Sequence, residues 1–121
     1  INYKKFDLVY LRWFLHSIQE SKEDYIFNLL SNLKYKKPII AIEARLSDDN
    51  IIKNKKTKRL SKLELISNGD HYRRLLDKGE FLAKIKYMGF EIIYKKESKN
   101  FSRLRIKNSN ENPSLIRLII K

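Results

Sequence analysis

Two nearly continuous apolar runs, separated by a helical pattern, constrain the fold of this chain more than any other feature. The runs are FDLVYL at residues 6–11 and PIIAIEA at residues 38–44, where Pro38 is acceptable at the first position of a strand. Short apolar runs of this kind are typical of strands buried on both faces of a parallel sheet. The residues between them that share one face of a helix are Ile26, Phe27, Leu29, Leu30 and Leu33. The pattern predicts a strand–helix–strand unit, with Ser21 as the helix cap and Asp24 at its third helical position.

A second unit of the same kind follows a long polar segment. Asp77 and Glu80 form a capping box, and Gly89 followed by Phe90 is typical of a Schellman stop. The buried stripe of this helix is Phe81, Leu82, Ile85 and Met88. Residues 90–94 and 114–120 then predict two strands, which we expect to pair antiparallel because no helical pattern lies between them. The polar segment at residues 45–69 is predicted to be a long loop.

The order strand, helix, strand, helix, strand, strand predicts an α/β fold with a parallel sheet and one antiparallel strand at its end. Right-handed crossovers place both helices on the same face of such a sheet. The opposite face would then be bare, although the strands are apolar on both sides. We therefore expect a missing N-terminal half, a partner chain or self-association to cover it. The chain begins at Ile1 without an initiator methionine, and we interpret it as a piece of a longer protein.

Composition excludes several classes of site. The 121 residues fit one domain and carry a formal net charge of +13. Without cysteine, the chain has neither disulfides nor zinc–thiolate sites, which is compatible with a reducing cytoplasm. With two histidines and three glycines, it has no Cys–His nucleophile and no glycine-rich phosphate loop, and we predict no metal site. It contains no apolar run of transmembrane length, so we expect no membrane insertion.

Polar side chains follow the predicted strands at the sheet edge where ligands bind in open α/β folds. Arg12, Trp13 and His16 follow the first strand, and Glu43 and Arg45 follow the second. The segment His71, Tyr72, Arg73 and Arg74 precedes the helix that Asp77 begins, whose N-terminus favours anions. We expect His71 and Arg73 to point one way and Tyr72 and Arg74 the other.

Each of these residues also has a purely structural interpretation. Trp13 could be packing, His16 could bond to the backbone, and Glu43 could pair with Arg45. Arg73 or Arg74 could likewise pair with Asp70 or Asp77. The sequence leaves these alternatives open.

Five segments together resemble the C-terminal half of a class I S-adenosylmethionine-dependent methyltransferase. They are FDLVYLRWFLHSI, PIIAIEAR, GDHYRRLL, FLAKIKYMGFEIIYKKES and NPSLIRLIIK. More narrowly, they resemble bacterial methyltransferases of capsule and surface-polysaccharide biosynthesis. The resemblance implies a Rossmann-like methyltransferase sheet whose final strand is antiparallel. It also implies that residues 1–121 are the C-terminal half of the domain, that the N-terminal cofactor-binding half is absent, and that the isolated chain is inactive.

The resemblance further implies S-adenosylmethionine as cofactor and a sugar hydroxyl or a phosphorylated metabolite as a small acceptor. Tyr10, Leu11 and Arg12 would line the methionine end of the cofactor. The candidate catalytic residues are His16, Glu43 and His71, and the acceptor would contact Arg45, Tyr72, Arg73 and Arg74. We expect such an enzyme in the cytoplasm.

A different interpretation starts from residues 53–62, KNKKTKRLSK, which contain six cations and no acid. They could make the chain a basic nucleic-acid-binding module or a fragment of a nucleic-acid methyltransferase. The run has no aromatic residues interleaved with the cations, which a single-strand platform would need. We rank this alternative below a solvated surface loop, and a nucleic-acid partner below a small molecule.

Overall fold

A computed structural model describes residues 7–33, 37–67, 69–101, 104–106 and 109–121. Phe6, where the first strand was predicted to begin, lies outside these residues. The helices and strands in chain order are β1 (Leu8–Arg12), α1 (Glu20–Ser31), β2 (Ile39–Arg45), β3 (Lys58–Arg59), β4 (Glu64–Ser67), β5 (His71–Arg74), α2 (Lys78–Tyr87), β6 (Ile92–Ser98), β7 (Leu104–Ile106), β8 (Ser109–Glu111) and β9 (Leu115–Ile120). Two short 3₁₀ helices cover Leu15–Ser17 and Asn50–Lys53.

The main sheet has the strand order β1-β2-β9-β6. β1 and β2 are parallel, and β9 lies antiparallel between β2 and β6. The predicted α/β fold with an antiparallel final strand is therefore confirmed, but this strand lies between β2 and β6 and not at the end of the sheet. The carboxyl ends of β1, β2 and β6 point to one edge of the sheet, which we call the carboxyl edge.

Both helices pack on the same face of this sheet, as the crossover rule predicts. Phe27 of α1 lies edge-to-face against Phe81 of α2 and against Phe90, with ring centroids 6.2 and 6.0 Å apart. The strand residues that pack beneath them are Leu11, Ile40, Ile42, Ala44, Ile116, Leu118 and Ile120. One continuous core therefore joins the two helices to the sheet.

The opposite face of the sheet is open. Leu8 and Tyr10 there are 56% and 64% exposed. The strand register places Tyr10, Ala41, Ile119 and Tyr94 in one row across the four strands. The next row, at the carboxyl edge, is Arg12, Glu43, Arg117 and Lys96. This open face is apolar along most of its length and charged at the carboxyl edge.

The predicted helix caps are partly confirmed. Asp77 caps α2 through a 3.0 Å bond from the Glu80 N–H. Gly89, at φ +90°, ends α2 in a Schellman motif in which the Phe90 N–H donates to the Ile85 carbonyl. The cap predicted at Ser21 is wrong, because α1 begins at Glu20 after Gln19. The earlier start places Glu23 in the first turn, facing the interior.

Two predictions are corrected. Residues 45–69, predicted as a long loop, contain β3 and β4, which form an antiparallel sheet with β5 on a small core of Ile51, Leu65 and Leu75. Residues 71–74, which were expected only to precede the helix, form the strand β5. The third main strand begins at Ile92, because Phe90 provides the hydrophobic contact that closes α2.

A β-hairpin, β7-β8, occupies part of the polar connection between β6 and β9. No helix among the described residues is long and apolar enough to cross a membrane.

Candidate active site

Seven side chains gather at the carboxyl edge from β1, β2, β5, β9 and the segment that follows β1. We call them the edge cluster: Arg12, Trp13, His16, Glu43, Arg45, Arg73 and Arg117. Five of them were singled out in the sequence as site residues. For Trp13 a packing role remained open on the sequence alone, and no sequence pattern indicated Arg117.

Glu43 is the anion of the edge cluster and is buried. Its Oε2 accepts a 2.6 Å bond from Arg117 Nε, and its Oε1 accepts bonds from Arg12 Nε and from the Trp13 indole N–H. Burial favours the neutral acid, but the bonds from Arg117, Trp13 and Arg12 outweigh it and hold the pKa of Glu43 below its usual value. Glu43 therefore pairs with Arg12 and Arg117, whereas Arg45 lies against Asp49.

His16 is almost completely buried, and its Nδ1 accepts a 3.3 Å bond from the Arg45 backbone N–H. Burial, and then the positive charges of Arg45 and Arg73, lower the pKa of His16 to about 3. At neutral pH the imidazole is neutral and is a weak base. Of the two interpretations of His16 that the sequence allowed, the geometry fits the structural one, in which the side chain bonds to the backbone.

Arg45 is buried at the end of β2, where its guanidinium lies 3.5 Å from Asp49 Oδ1 and 5.4 Å from the centre of the Trp13 ring. The Asp49 carboxylate also accepts bonds from the N–H groups of Ile51 and Ser114. Arg45 therefore connects the edge cluster to the start of β9 and to the small sheet.

Arg73 and Arg74 lie on opposite faces of β5, as alternation along a strand requires. Arg74 is buried and donates to Glu23 Oε1 at 2.7 Å and to the carbonyls of Leu15 and Ile18. Arg73 Nη1 instead lies 3.5 Å from Ser17 Oγ, close enough to His16 to lower its pKa. Glu23 is the partner of Arg74, and neither Asp70 nor Asp77 is.

Tyr72 and His71 lie outside the edge cluster. The Tyr72 hydroxyl donates a 2.6 Å bond to Glu64, and burial together with that bond raises the pKa of Tyr72 to about 12. His71 is exposed and pairs with Ser67 at the turn between β4 and β5. Of the four residues at positions 71–74, only Arg73 contacts the segment after β1 without being buried.

The three residues predicted to line the cofactor differ in orientation. Leu11 packs in the core beneath the helices, whereas Tyr10 lies on the open face. Arg12 reaches the carboxyl edge and pairs with Glu43. The side chain of Leu11 points away from any ligand on the open face.

Three carboxylates outside the edge cluster could in principle hold a cation. Those of Glu20, Glu23 and Asp24 lie within 4.8 Å of one another. Lys84 Nζ lies between them, at 3.3, 2.6 and 2.5 Å. Burial disfavours its charge, but the bonds to Asp24 and Glu23 outweigh burial and raise the pKa of Lys84. The ammonium group supplies the positive charge at this position.

We found no family model that matches the chain and no curated protein of similar sequence. Solved structures of similar fold include an S-adenosylmethionine-dependent methyltransferase from Clostridium acetobutylicum, with a TM-score of 0.63 and 15% identity over 100% of this chain and 59% of that one. A SAM-dependent methyltransferase from Methanosarcina mazei gives 0.62 and 13% over 98% and 60%. The CcbJ methyltransferase from Streptomyces caelestis gives 0.61 and 8% over 100% and 59%.

The likeness covers nearly all of this chain but about three fifths of each solved structure. The identities are too low to carry more than the fold. The strand order, the antiparallel β9 and this likeness all indicate the same fold. The chain therefore has the Rossmann-like fold of class I methyltransferases.

Proposed function

We propose that this chain is the C-terminal half of a cytoplasmic S-adenosylmethionine-dependent methyltransferase. Its acceptor is a small molecule, a sugar hydroxyl or a phosphorylated metabolite, in capsule or surface-polysaccharide biosynthesis. The fold supports the methyl transfer. The edge cluster contains four arginines and the ionised carboxylate of Glu43, which pairs with two of them, and this excess of positive charge supports an acceptor that carries an anionic group. The role in polysaccharide synthesis rests on the sequence resemblance, and the cytoplasmic location on the cysteine-free composition.

The open face and β1 support the proposal that another half is needed. Among the described residues β1 pairs with β2 alone, so its other side offers unpaired backbone groups. Further strands could pair with this edge, and further helices could cover the exposed apolar face. The proposed N-terminal half would add strands beside β1 and helices over Tyr10 and Tyr94.

The residues at the end of β1 suit a cofactor that lies beside them. Arg12 is directed to the carboxyl edge, and Trp13 turns the chain sharply there. When bound, S-adenosylmethionine supplies a methyl group already activated by the sulfonium. Positioning of the acceptor then supplies much of the rate acceleration, and Arg12 and Arg73 would hold its anionic group.

Two of the three residues that the sequence offers as a general base for the acceptor hydroxyl do not suit that role. A general base works best with a pKa near the working pH. His16 has a pKa of about 3, and Glu43 has a lowered pKa with hydrogen bonds on both oxygens. Neither residue therefore suits the role of base, and His71 lies outside the edge cluster. An acceptor that is already anionic at its nucleophilic atom needs no base.

Calorimetry of the complete protein with S-adenosylmethionine tests the proposal. We expect saturable one-to-one binding, and a folded protein that does not bind would refute the function.

Inorganic phosphate probes the subsite that is proposed to bind the anionic group of the acceptor. Arg73→Ala should weaken its binding about tenfold, the loss of one charge-assisted contact. Arg59→Ala, which removes an exposed cation from β3, is the matched control.

A basic nucleic-acid-binding surface is the second candidate, and one observation favours it. All six cations of residues 53–62 are exposed. Binding to duplex or single-stranded probes should then fall steeply as salt rises, because counterion release dominates such contacts. Binding that is absent or insensitive to salt would remove this candidate.

A further inference from the structure

Trp13 has an unusual backbone conformation at the end of β1. Its φ of +57° lies in the left-handed region, and no other non-glycine residue among those described has a positive φ. A bulky residue is unfavourable there because its Cβ crowds the backbone. Such strain persists only where the surroundings impose it, and it is concentrated at functional sites.

Glu43 imposes this conformation. The Trp13 backbone N–H donates a 2.8 Å bond to the Glu43 carbonyl, and the indole N–H donates to Oε1 of the same residue. One residue of β2 thus holds both the main chain and the side chain of Trp13. A weaker bond joins the Trp13 carbonyl to Ser17 Oγ at 3.3 Å.

Glu43 is itself held firmly. Arg12 of β1 and Arg117 of β9 donate to its two oxygens, at 3.3 and 2.6 Å. The Arg117 guanidinium lies 4.2 Å from the centre of the Phe101 ring. With both oxygens engaged, the carboxylate is poorly placed to take a proton from an acceptor, but well placed to fix geometry.

The half-buried indole ring lies between two other residues of the edge cluster. The Arg45 guanidinium is 5.4 Å from its centre, and the His16 ring meets it edge-on at 5.5 Å. A rotation of the indole would change the surface that these two side chains form with Arg73, whose charge helps to lower the pKa of His16.

We propose that Glu43 is a positioning residue, which holds Trp13 in its left-handed turn so that the indole forms a fixed wall of the acceptor pocket. Identification of the pocket rests on the proposed function. The interaction between Glu43 and Trp13 does not. Glu43 thus acts through Trp13 and transfers no proton.

Trp13 is the one tryptophan of the 121-residue chain, so the fluorescence of this chain reports on the site directly. Glu43→Gln and Glu43→Ala remove the same charge, but only glutamine keeps an oxygen that accepts from the indole N–H. We expect Glu43→Ala to shift the emission to longer wavelength and to increase quenching by acrylamide. Glu43→Gln should stay close to the wild type. Glu97→Ala serves as the control, because it removes from β6 an exposed carboxylate that pairs with Lys78 of α2.

Inorganic phosphate then connects the Trp13 conformation to the pocket. Titrated against the chain, phosphate should change Trp13 emission in a saturable way. Glu43→Ala should bind it about tenfold more weakly than Glu43→Gln, although the two have equal charge. Circular dichroism verifies that each variant is folded. If Glu43→Ala does not fold, Arg117→Met replaces it and should give a smaller shift of emission, because it removes one bond to Glu43 and leaves the indole bond in place.

The outcomes separate this proposal from the proposed function. Folded Glu43→Ala with unchanged Trp13 emission and quenching would overturn the positioning role, whatever the protein binds. The same emission and equal phosphate affinity in the two Glu43 variants would do so as well. If the emission shifts as expected but the complete protein binds no S-adenosylmethionine, the positioning of Trp13 stands and the methyltransferase function fails.

Discussion

Arg74 Nη2 lies 2.7 Å from Glu23 Oε1, and this buried ion pair joins β5 to helix α1 across 51 residues of sequence. The other oxygen of Glu23 accepts a 2.6 Å bond from Lys84 of α2. The carboxylate of Glu23 therefore links the small sheet to both helices. Because the adjacent Arg73 faces the opposite way, one arginine fixes β5 while the other stays at the carboxyl edge.

Arg74→Met should lower the free energy of unfolding by about 3 kcal/mol, because it leaves a buried carboxylate with one of its two cations. Lys78→Met, which breaks the exposed pair with Glu97, should cost less than about 1 kcal/mol and is the control. Urea unfolding of both variants measures the difference. Equal losses would mean that the Arg74–Glu23 pair contributes no more than a surface contact.

Much of the main fold could be predicted from local sequence. The apolar runs of β2 and β9, the cap at Asp77 and the stop at Gly89 depend on residues next to each other in the chain. The helix faces follow from spacing alone. These features were predicted because their physical causes lie within a few residues.

The contacts of the candidate site could not be predicted in the same way. Arg117 becomes the partner of Glu43 only because β9 inserts beside β2 in one register. Likewise, β5 was not predicted, because its polar residues find their partners in Glu64 and in distant Glu23. The alternation of side chains at positions 71–74 was still readable, and it separated Arg73 from Arg74.

His16 should make the protein less stable in mild acid. Its folded pKa of about 3 lies below the unfolded value of 6.5, so the unfolded chain takes up a proton first as the pH falls. Above pH 6.5 both states are neutral and His16 contributes no pH dependence. Between pH 6.5 and 3 it should reduce the free energy of unfolding by about 1.4 kcal/mol per pH unit.

The substitution His16→Asn isolates this effect, because the asparagine oxygen can accept the Arg45 N–H bond without titrating. Urea unfolding between pH 7 and pH 5 should show a shallower loss of stability in the variant than in the wild type. Parallel curves would indicate that the His16 pKa is not lowered on folding.

Substitution by alanine should have opposite effects at a glycine within α2 and at the glycine that follows it. Gly89→Ala places a Cβ at φ +90° with no atom within 4 Å, so any cost arises from the backbone and should be about 1 kcal/mol. Gly79→Ala lies in the helix, where the nearest atom to the added Cβ is at 3.6 Å, and should stabilise by about 0.5 kcal/mol. Thermal unfolding compares the two, and destabilisation of similar size at both positions would contradict the Schellman explanation.

The open face should make the 121-residue chain self-associate when nothing else covers it. Tyr10 and Tyr94 lie in the same row of this face and are 64% and 44% exposed, and contiguous apolar surface of this kind is typical of association sites. Size-exclusion chromatography with light scattering should give a mass above that of the monomer for the wild type. The double substitution Tyr10→Lys and Tyr94→Lys should shift it towards the monomer. Tyr87→Lys, which changes a fully solvated tyrosine on α2, should leave the mass unchanged, and a wild-type chain that is monomeric throughout would contradict association through this face.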